Sequence, residues 1–199
     1  FLLDAATGEE RAVRPVAGKG LARGVALIGA GNTVVVSLAD DVDDPEIAAV
    51  VSAFTVTDDD LEPAWDQTVR DGAGADALPG EFASLSTDGT IVVGHSGPEL
   101  IALDLASGDL VWRVDPPGFR NTATSAPVRD GVVYDTVFGG PYLHEVTADG
   151  VVGELFEAED TLGIGAGAQE LGPFAGDLLI TQGAFDGALV VAAIAVRAG

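Results

Sequence analysis

Apolar residues in this chain come in short runs of Val, Ile and Leu, fenced by Gly, Asp and Pro, and seldom at helical spacing. Gly24–Leu38, Gly89–Gly94, Gly131–Phe138 and Asp177–Gln182 all have this form, which is the punctuation of β-strands. Asp44–Val51 is the one stretch that reads as a helical turn or two, with Pro45 at a first helical position behind a capping Asp44. The most informative run is Ile101–Trp112. Ile101–Leu105 alternates as a strand, Ala106-Ser107-Gly108-Asp109 has the residues of a tight turn, and Leu110–Val114 reads as the returning strand. Weaker copies stand at Leu3-Asp4-Ala5-Ala6-Thr7-Gly8-Glu9-Glu10, at Val56-Thr57-Asp58-Asp59-Asp60 leading to Trp65, at Val146-Thr147-Ala148-Asp149-Gly150, and at Ile194–Gly199. Taking Leu3, Val56, Leu103, Val146 and Ile194 as equivalent gives steps of 53, 47, 43 and 48 residues. A period of that size, built from strands and turns, is the signature of a β-propeller with one blade per repeat. The pattern predicts an all-β fold of four-stranded antiparallel blades, about four of them in this chain.

Within this framework Ala102-x-Asp104-x-x-x-Gly108-x-x-x-Trp112 resembles the blade motif of the PQQ-like (pyrroloquinoline-quinone-like) propeller repeat family. Ser125–Tyr134 resembles that family's first and second blade strands. Residues 84–115 carry the resemblance most fully and 123–157 next; the flanking repeats share the phase. Phe156 stands near where a tryptophan is expected, and residues 161–170 fit no blade strand. The resemblance implies that Ala102 packs under the tryptophan of a neighbouring blade, that Asp104 and Gly108 shape the turn, and that Trp112 and Trp65 dock blade on blade.

The repeats divide the chain roughly into a partial one over 1–15, then 16–70, 71–115, 116–158 and 159–199. The first and last both stop at a third strand. Two geometries fit. Glu9–Val13 closes a small ring as the outer strand of the last blade, or the chain is a four-blade stretch of a ring of about seven or eight blades. The second is expected, since the families it resembles build larger rings. A chain that opens on Phe1 inside a blade hairpin and contains no Met is expected to be a processed or trimmed piece, so a missing signal sequence says nothing about localisation.

Charge changes the picture of partners. Against 32 Asp and Glu stand 9 Lys and Arg, a formal net charge of −23, with Lys19 the single lysine. Such a surface repels nucleic acid and anionic membranes. The apolar run Ala188–Val196 is shorter than the roughly 20 residues a spanning helix needs, and is expected as an inner blade strand. The acidity is expected to serve solubility and salt tolerance. With no cysteine there are no disulfides and no thiolate metal ligands.

Little in the sequence points to catalysis. A quinoprotein dehydrogenase, the alternative that the resemblance raises, would hold PQQ with calcium in the channel above a tryptophan floor, commonly with two adjacent cysteines. This chain lacks cysteine, and both tryptophans fall at blade-docking positions. Asp40, Asp41, Asp43, Asp44 and Glu46, with Asp58–Asp60, offer oxygen ligands of the kind calcium takes, without the spacing of a calcium loop. His95 and His144, the two histidines, are expected in surface or turn roles, forming neither a triad nor a metal site by spacing. Gly163–Ala168 precedes no helix and fails as a dinucleotide loop. The expected function is therefore a non-catalytic protein-interaction scaffold or sensor without cofactor, and the resemblance implies that it acts outside the cytoplasm. Its partner-binding candidates are Asp43, Asp44 and Glu46 in the long Leu38–Val51 insertion, Phe119 and Arg120 in a Pro-Pro-Gly connector, and Tyr142 after Gly139-Gly140-Pro141.

Overall fold

The structure, a computed structural model, describes residues 2–15, 25–39, 48–70, 82–96, 99–116, 126–137, 142–157, 170–176, 178–185 and 188–195. All regular structure among them is strand. Blade I contains β3 (Val25–Ala30), β4 (Thr33–Ala39), β5 (Ala48–Val56) and β6 (Leu61–Arg70), preceded by the hairpin β1 (Leu2–Leu3) and β2 (Glu10–Ala12). Blade II is β7 (Phe82–Thr87), β8 (Ile91–Ser96), β9 (Glu99–Asp104) and β10 (Leu110–Val114). Blade III is β11 (Val128–Arg129), β12 (Val132–Val137), β13 (Tyr142–Val146) and β14 (Val152–Glu157). A last sheet holds β15 (Glu170–Ala175), β16 (Leu178–Phe185) and β17 (Ala188–Ala195). In every sheet sequential strands are spatial neighbours and antiparallel, so each is a meander, and the fold is a β-propeller of four-stranded blades.

Turn chemistry explains the regularity. Two-residue hairpins need positive φ, and Gly31 (φ 60°), Gly131 (φ 77°) and Gly176 (φ 61°) supply it between the first and second strands, joined by Asp130 (φ 51°). The third-to-fourth turn of blade II is held by Asp104. Its Oδ1 accepts from the N–H groups of Ala106 and Ser107 at 3.0 and 2.8 Å, and its carbonyl accepts from Gly108 N at 2.8 Å. The β1–β2 hairpin repeats this arrangement. Asp4 Oδ1 accepts from Ala6 N and Thr7 N at 2.9 Å each, and Gly8 N donates to the Asp4 carbonyl at 2.8 Å.

Stacking creates the core. Val92, Ile101, Leu103 and Leu105 of blade II pack with Val35, Ala49, Val51, Ala53 and Val69 of blade I. Ile91, Val93, Leu100, Ala102 and Trp112 pack the other way, with Ala126, Val128, Val133 and Val146. Alternate residues of β8 thus serve two different neighbours, and all six are buried, which is why the strand reads as a continuous apolar run. Each such Val, Ile or Leu contributes about 1.5–3 kcal/mol on burial. The first strands lie innermost: β3 and β4 approach β7, and β11 approaches β7.

Two expectations, and the less favoured of the two ring geometries, need amending. Residues 48–51 are not helical but open β5, because Ala48–Val51 pairs with β4 on one side and β6 on the other; a double ladder outweighs a local capping signal. The Ala188–Ala195 run is the third strand of its sheet, outside β15 and β16. Glu10–Ala12 pairs with β1 and is absent from the β15–β17 sheet, so the small-ring seam does not form among the described residues.

Candidate functional site

Strand direction gives the blades two ends. At one end lie the first-to-second and third-to-fourth turns, and here neighbouring blades are stitched together. Trp65 of β6 lies on the third-to-fourth turn of blade II. Its Nε1–H donates to the Leu105 carbonyl at 2.9 Å, and a Cβ added at Gly108 (φ 77°) would come within 2.6 Å of its ring. Trp112 of β10 lies in the same way on Gly150 (φ 79°) of blade III, with 2.8 Å to an added Cβ. Ala102 pairs in register with Trp112 of its own blade and shares its cluster. A glycine, rather than the alanine that the resemblance implied, therefore takes the neighbour's tryptophan, because only a residue without Cβ leaves room for the ring at positive φ.

Polar contacts run along the same edge. Arg11 Nη1 donates to the Asp58 carbonyl at 2.8 Å, and Arg14 Nε donates to the Leu61 carbonyl at 3.1 Å while its guanidinium pairs with Asp60. These contacts fasten the first hairpin to blade I. Asp88 of blade II accepts from Gly131 N of blade III at 2.7 Å. Burial pushes the Asp88 carboxyl up, but the Thr90 hydroxyl and the N–H groups of Thr90, Gly131 and Ile91 outweigh it and hold the group below its ordinary value. Arg129 Nη1 reaches the Gly176 carbonyl at 2.8 Å, joining blade III to the last sheet.

Toward the opposite end the blade interior turns polar. Ser37, Ser52, His95, Ser96 and Asp135 are all buried, at 2% exposure or less. His95 is therefore not a surface or turn residue. It stands on β8 at 1% exposure, with Nε2 3.6 Å from Oδ1 of Asp135 on β12 of the next blade. Sequence reasoning missed this pair because its members are 40 residues apart; the usable signal was a lone histidine inside a run that is otherwise blade core. On the neighbouring β9 and β10, Glu99 and Arg113 form a partly buried ion pair at 3.3 Å.

The remaining sequence candidates divide plainly. Asp40, Asp41, Asp43, Asp44 and Glu46 connect β4 to β5 and lie outside the described residues, as do Phe119, Arg120, and Gly163–Ala168. Tyr142 opens β13, opposite Val137 and Glu157. Asp58–Asp60 form the exposed to half-buried third-to-fourth turn of blade I. Among the described residues no group of three or more His, Cys, Asp or Glu stands ready to hold a metal ion, and no helix is long and apolar enough to cross a membrane.

No protein-family model matches the chain, and no curated protein matches it. Solved structures similar to it include BamB from Moraxella catarrhalis, with 17% sequence identity over 95% of this chain and 77% of that one, at a TM-score of 0.43. The AfRom2 CNH domain is similar at 10% identity over 98% and 72% of the two chains, at a TM-score of 0.37. The fold assignment rests on the sheets themselves.

Proposed function

We propose that this chain is a non-catalytic PQQ-like propeller module that acts outside the cytoplasm as a protein-interaction scaffold or sensor. In this reading its blades belong to a larger ring, completed by further blades of the same or another chain. The observation that carries the reading is the ladder of blade I. β4 and β5 pair without a break from Thr33↔Thr55 to Ala39↔Ala49, and β5 with β6 up to Ala48↔Arg70. Both stems of the Asp40–Glu46 segment are thus fixed by a regular three-strand ladder at the end of a stacked blade. Loops held on rigid scaffolds are where binding residues concentrate. Five acids in that segment, on a chain of net charge −23, select a basic patch on a protein partner, with electrostatics contributing mainly to encounter rate and specificity.

The test is capture of a partner by the wild-type chain and by a variant with Asp40, Asp41, Asp43, Asp44 and Glu46 replaced by Asn or Gln. Weaker capture by a variant with an unchanged melting profile supports the loop assignment; equal capture removes it. Calcium-dependent dye reduction with alcohols or aldose sugars on adding PQQ would overturn the non-catalytic reading in favour of a dehydrogenase.

A further inference from the structure

We propose that the outer edge of β10 in blade II is a docking strand for an extended segment of a partner protein, one whose apolar middle is flanked by Lys or Arg. β10 ends its sheet, so among the described strands it pairs with β9 alone. Its outward N–H and C=O groups are a template for one more strand. The other described outer strands offer such an edge too, but they carry the charges or proline that blunt it. β2 has Glu10, β6 has Glu62, Pro63 and Asp66, and β14 has Glu154 and Glu157. Leu110-Val111-Trp112-Arg113-Val114 has neither an acid nor a proline, in a chain with 32 Asp and Glu. The register shift between Leu110 and Trp112 recurs in β2 and β6, so it does not set β10 apart. The outer edge of β17 is a different matter: β17 is a third strand, and its equivalents β5, β9 and β13 each carry a fourth strand of their own blade.

Side-chain exposure marks the same strand. Leu110 and Val111 stand side by side at its start, 53% and 44% exposed. Leu110 pairs with Leu103, whose side chain packs toward blade I, the blade whose half-buried Trp65 lies over Gly108. An apolar side chain of an added strand thus finds aliphatic and aromatic surface there. The blades approach each other through their first strands, which leaves room between the outer ones. Exposed Asp109 and Asp115 bracket β10, while the charge of Arg113 is met by Glu99 at 3.3 Å. Opposite charges set across two strands stabilise the pair and like charges destabilise it. The edge therefore selects a segment with a cation at each end and β-branched residues between. A net charge of −23 speeds the encounter with such a segment, and argues against a second copy of this chain, whose surface it repels. Main-chain hydrogen bonds supply most of the affinity in this mode, and side-chain contacts the selectivity. β10 belongs to a different blade from the strands that carry the Asp40–Glu46 segment, so its use does not depend on that assignment.

The probe is the capped peptide acetyl-Arg-Val-Thr-Val-Thr-Val-Arg-amide, titrated into the full chain in about 0.15 M NaCl and followed by tryptophan fluorescence and calorimetry. The expected result is saturation at one peptide per chain. Exchanging both Arg of the peptide for Glu should weaken binding by more than about 10-fold. N-methylation is applied to the even residues of the peptide in one analogue and to the odd residues in another. Only one set of N–H groups meets β10, so one analogue should bind like the parent and the other more than about 10-fold more weakly. In the chain, Leu110→Lys with Val111→Lys puts cations on the edge and should abolish binding with the melting profile unchanged. Leu3→Lys with Leu178→Lys adds the same charge at other exposed apolar positions and should bind as wild type does. No saturable binding to wild type, equal affinities of the two N-methylated analogues, or equal affinities of the two double variants overturns the docking strand. The N-methyl comparison needs no variant and decides the matter even where a double variant fails to fold. Sedimentation of the chain alone tests the other occupant: self-association that Leu110→Lys with Val111→Lys removes would give the edge to a second copy and overturn the partner segment.

Discussion

Trp65 and Trp112 occupy equivalent places in successive blades, yet one dock is complete and the other is not. Each lies on a turn glycine of the following blade that no other residue could replace without a collision. Trp65 is half-buried and its N–H reaches the Leu105 carbonyl. Trp112 is buried to 6% exposure, and its Nε1 finds no acceptor among the described residues. The two turns also differ in length by one residue. In blade II the carbonyl that binds the turn glycine is four positions before it, Asp104 to Gly108; in blade III it is three before, Thr147 to Gly150. Apolar area and hydrogen bonding are thus traded against each other across two copies of one motif.

The largest expected effects test the area side. Trp112→Ala should destabilise by about 3–5 kcal/mol, as for other buried large aromatics, and Trp65→Ala by less, because part of its ring is already in water. Denaturant midpoints at constant m-value measure this; a Trp65 cost equal to or above that of Trp112 would break the ranking. Next come Gly108→Ala and Gly150→Ala. Each forces a Cβ into the left-handed region, at about 1–2 kcal/mol, and into the facing tryptophan, at about 1–3 kcal/mol more. In a Trp65→Ala background the second part of the Gly108→Ala penalty should vanish, because the nearest atoms it meets all belong to the indole ring. Additivity in that double-mutant cycle would show that the glycine is present for the turn alone.

How much of this was legible in the sequence follows from where each constraint is encoded. The Asp104–Gly108 hairpin was readable because its cap, turn and glycine are local, and Asp4–Gly8 repeats its backbone bonds. The blade order was readable because the meander keeps neighbours in sequence neighbours in space. The β5 start at Ala48 was misread, since a local Asp-Pro cap competes there with two ladders whose partners lie about 10–20 residues away. That Trp65 meets Gly108, or that His95 meets Asp135, depends on how one blade is set against the next, and no local pattern carries such a distance.

Conservative substitutions test the hydrogen-bond side. Trp65→Phe loses ring volume and also leaves the Leu105 carbonyl without its donor. Trp112→Phe loses similar volume but removes a buried N–H that has no acceptor, relieving a penalty of about 1–3 kcal/mol. Trp112→Phe should therefore be milder than Trp65→Phe by about 1–3 kcal/mol, the reverse of the alanine order. Thermal midpoints of the two variants decide it, and the same order in both series would mean that the Trp112 N–H is satisfied in solution.

The smallest effect separates the two turns by pH. The turn under Trp65 is capped by a carboxylate: the Ser107 N–H and hydroxyl, aided by Ala106 N–H, hold Asp104 below its ordinary value against a minor push from burial. The turn under Trp112 is closed by the Thr147 hydroxyl, which accepts from Val151 N at 3.1 Å and does not titrate. A depressed folded-state value means that the Asp104 contribution is fully present above the unfolded carboxylate range near 3.9 and is lost as pH falls below it. Asp4 behaves alike in the first hairpin, its carboxyl lowered to about 2 mainly by the N–H groups of Thr7 and Ala6, so wild type weakens generally in acid. The Asp104 share is isolated by comparing melting temperatures of wild type and Asp104→Asn from pH 6 to pH 2. The wild-type advantage should hold down to about pH 4 and shrink below it. A wild-type advantage over Asp104→Asn that stays constant through pH 2 would show that the turn is held by its backbone geometry and not by the charge of its cap.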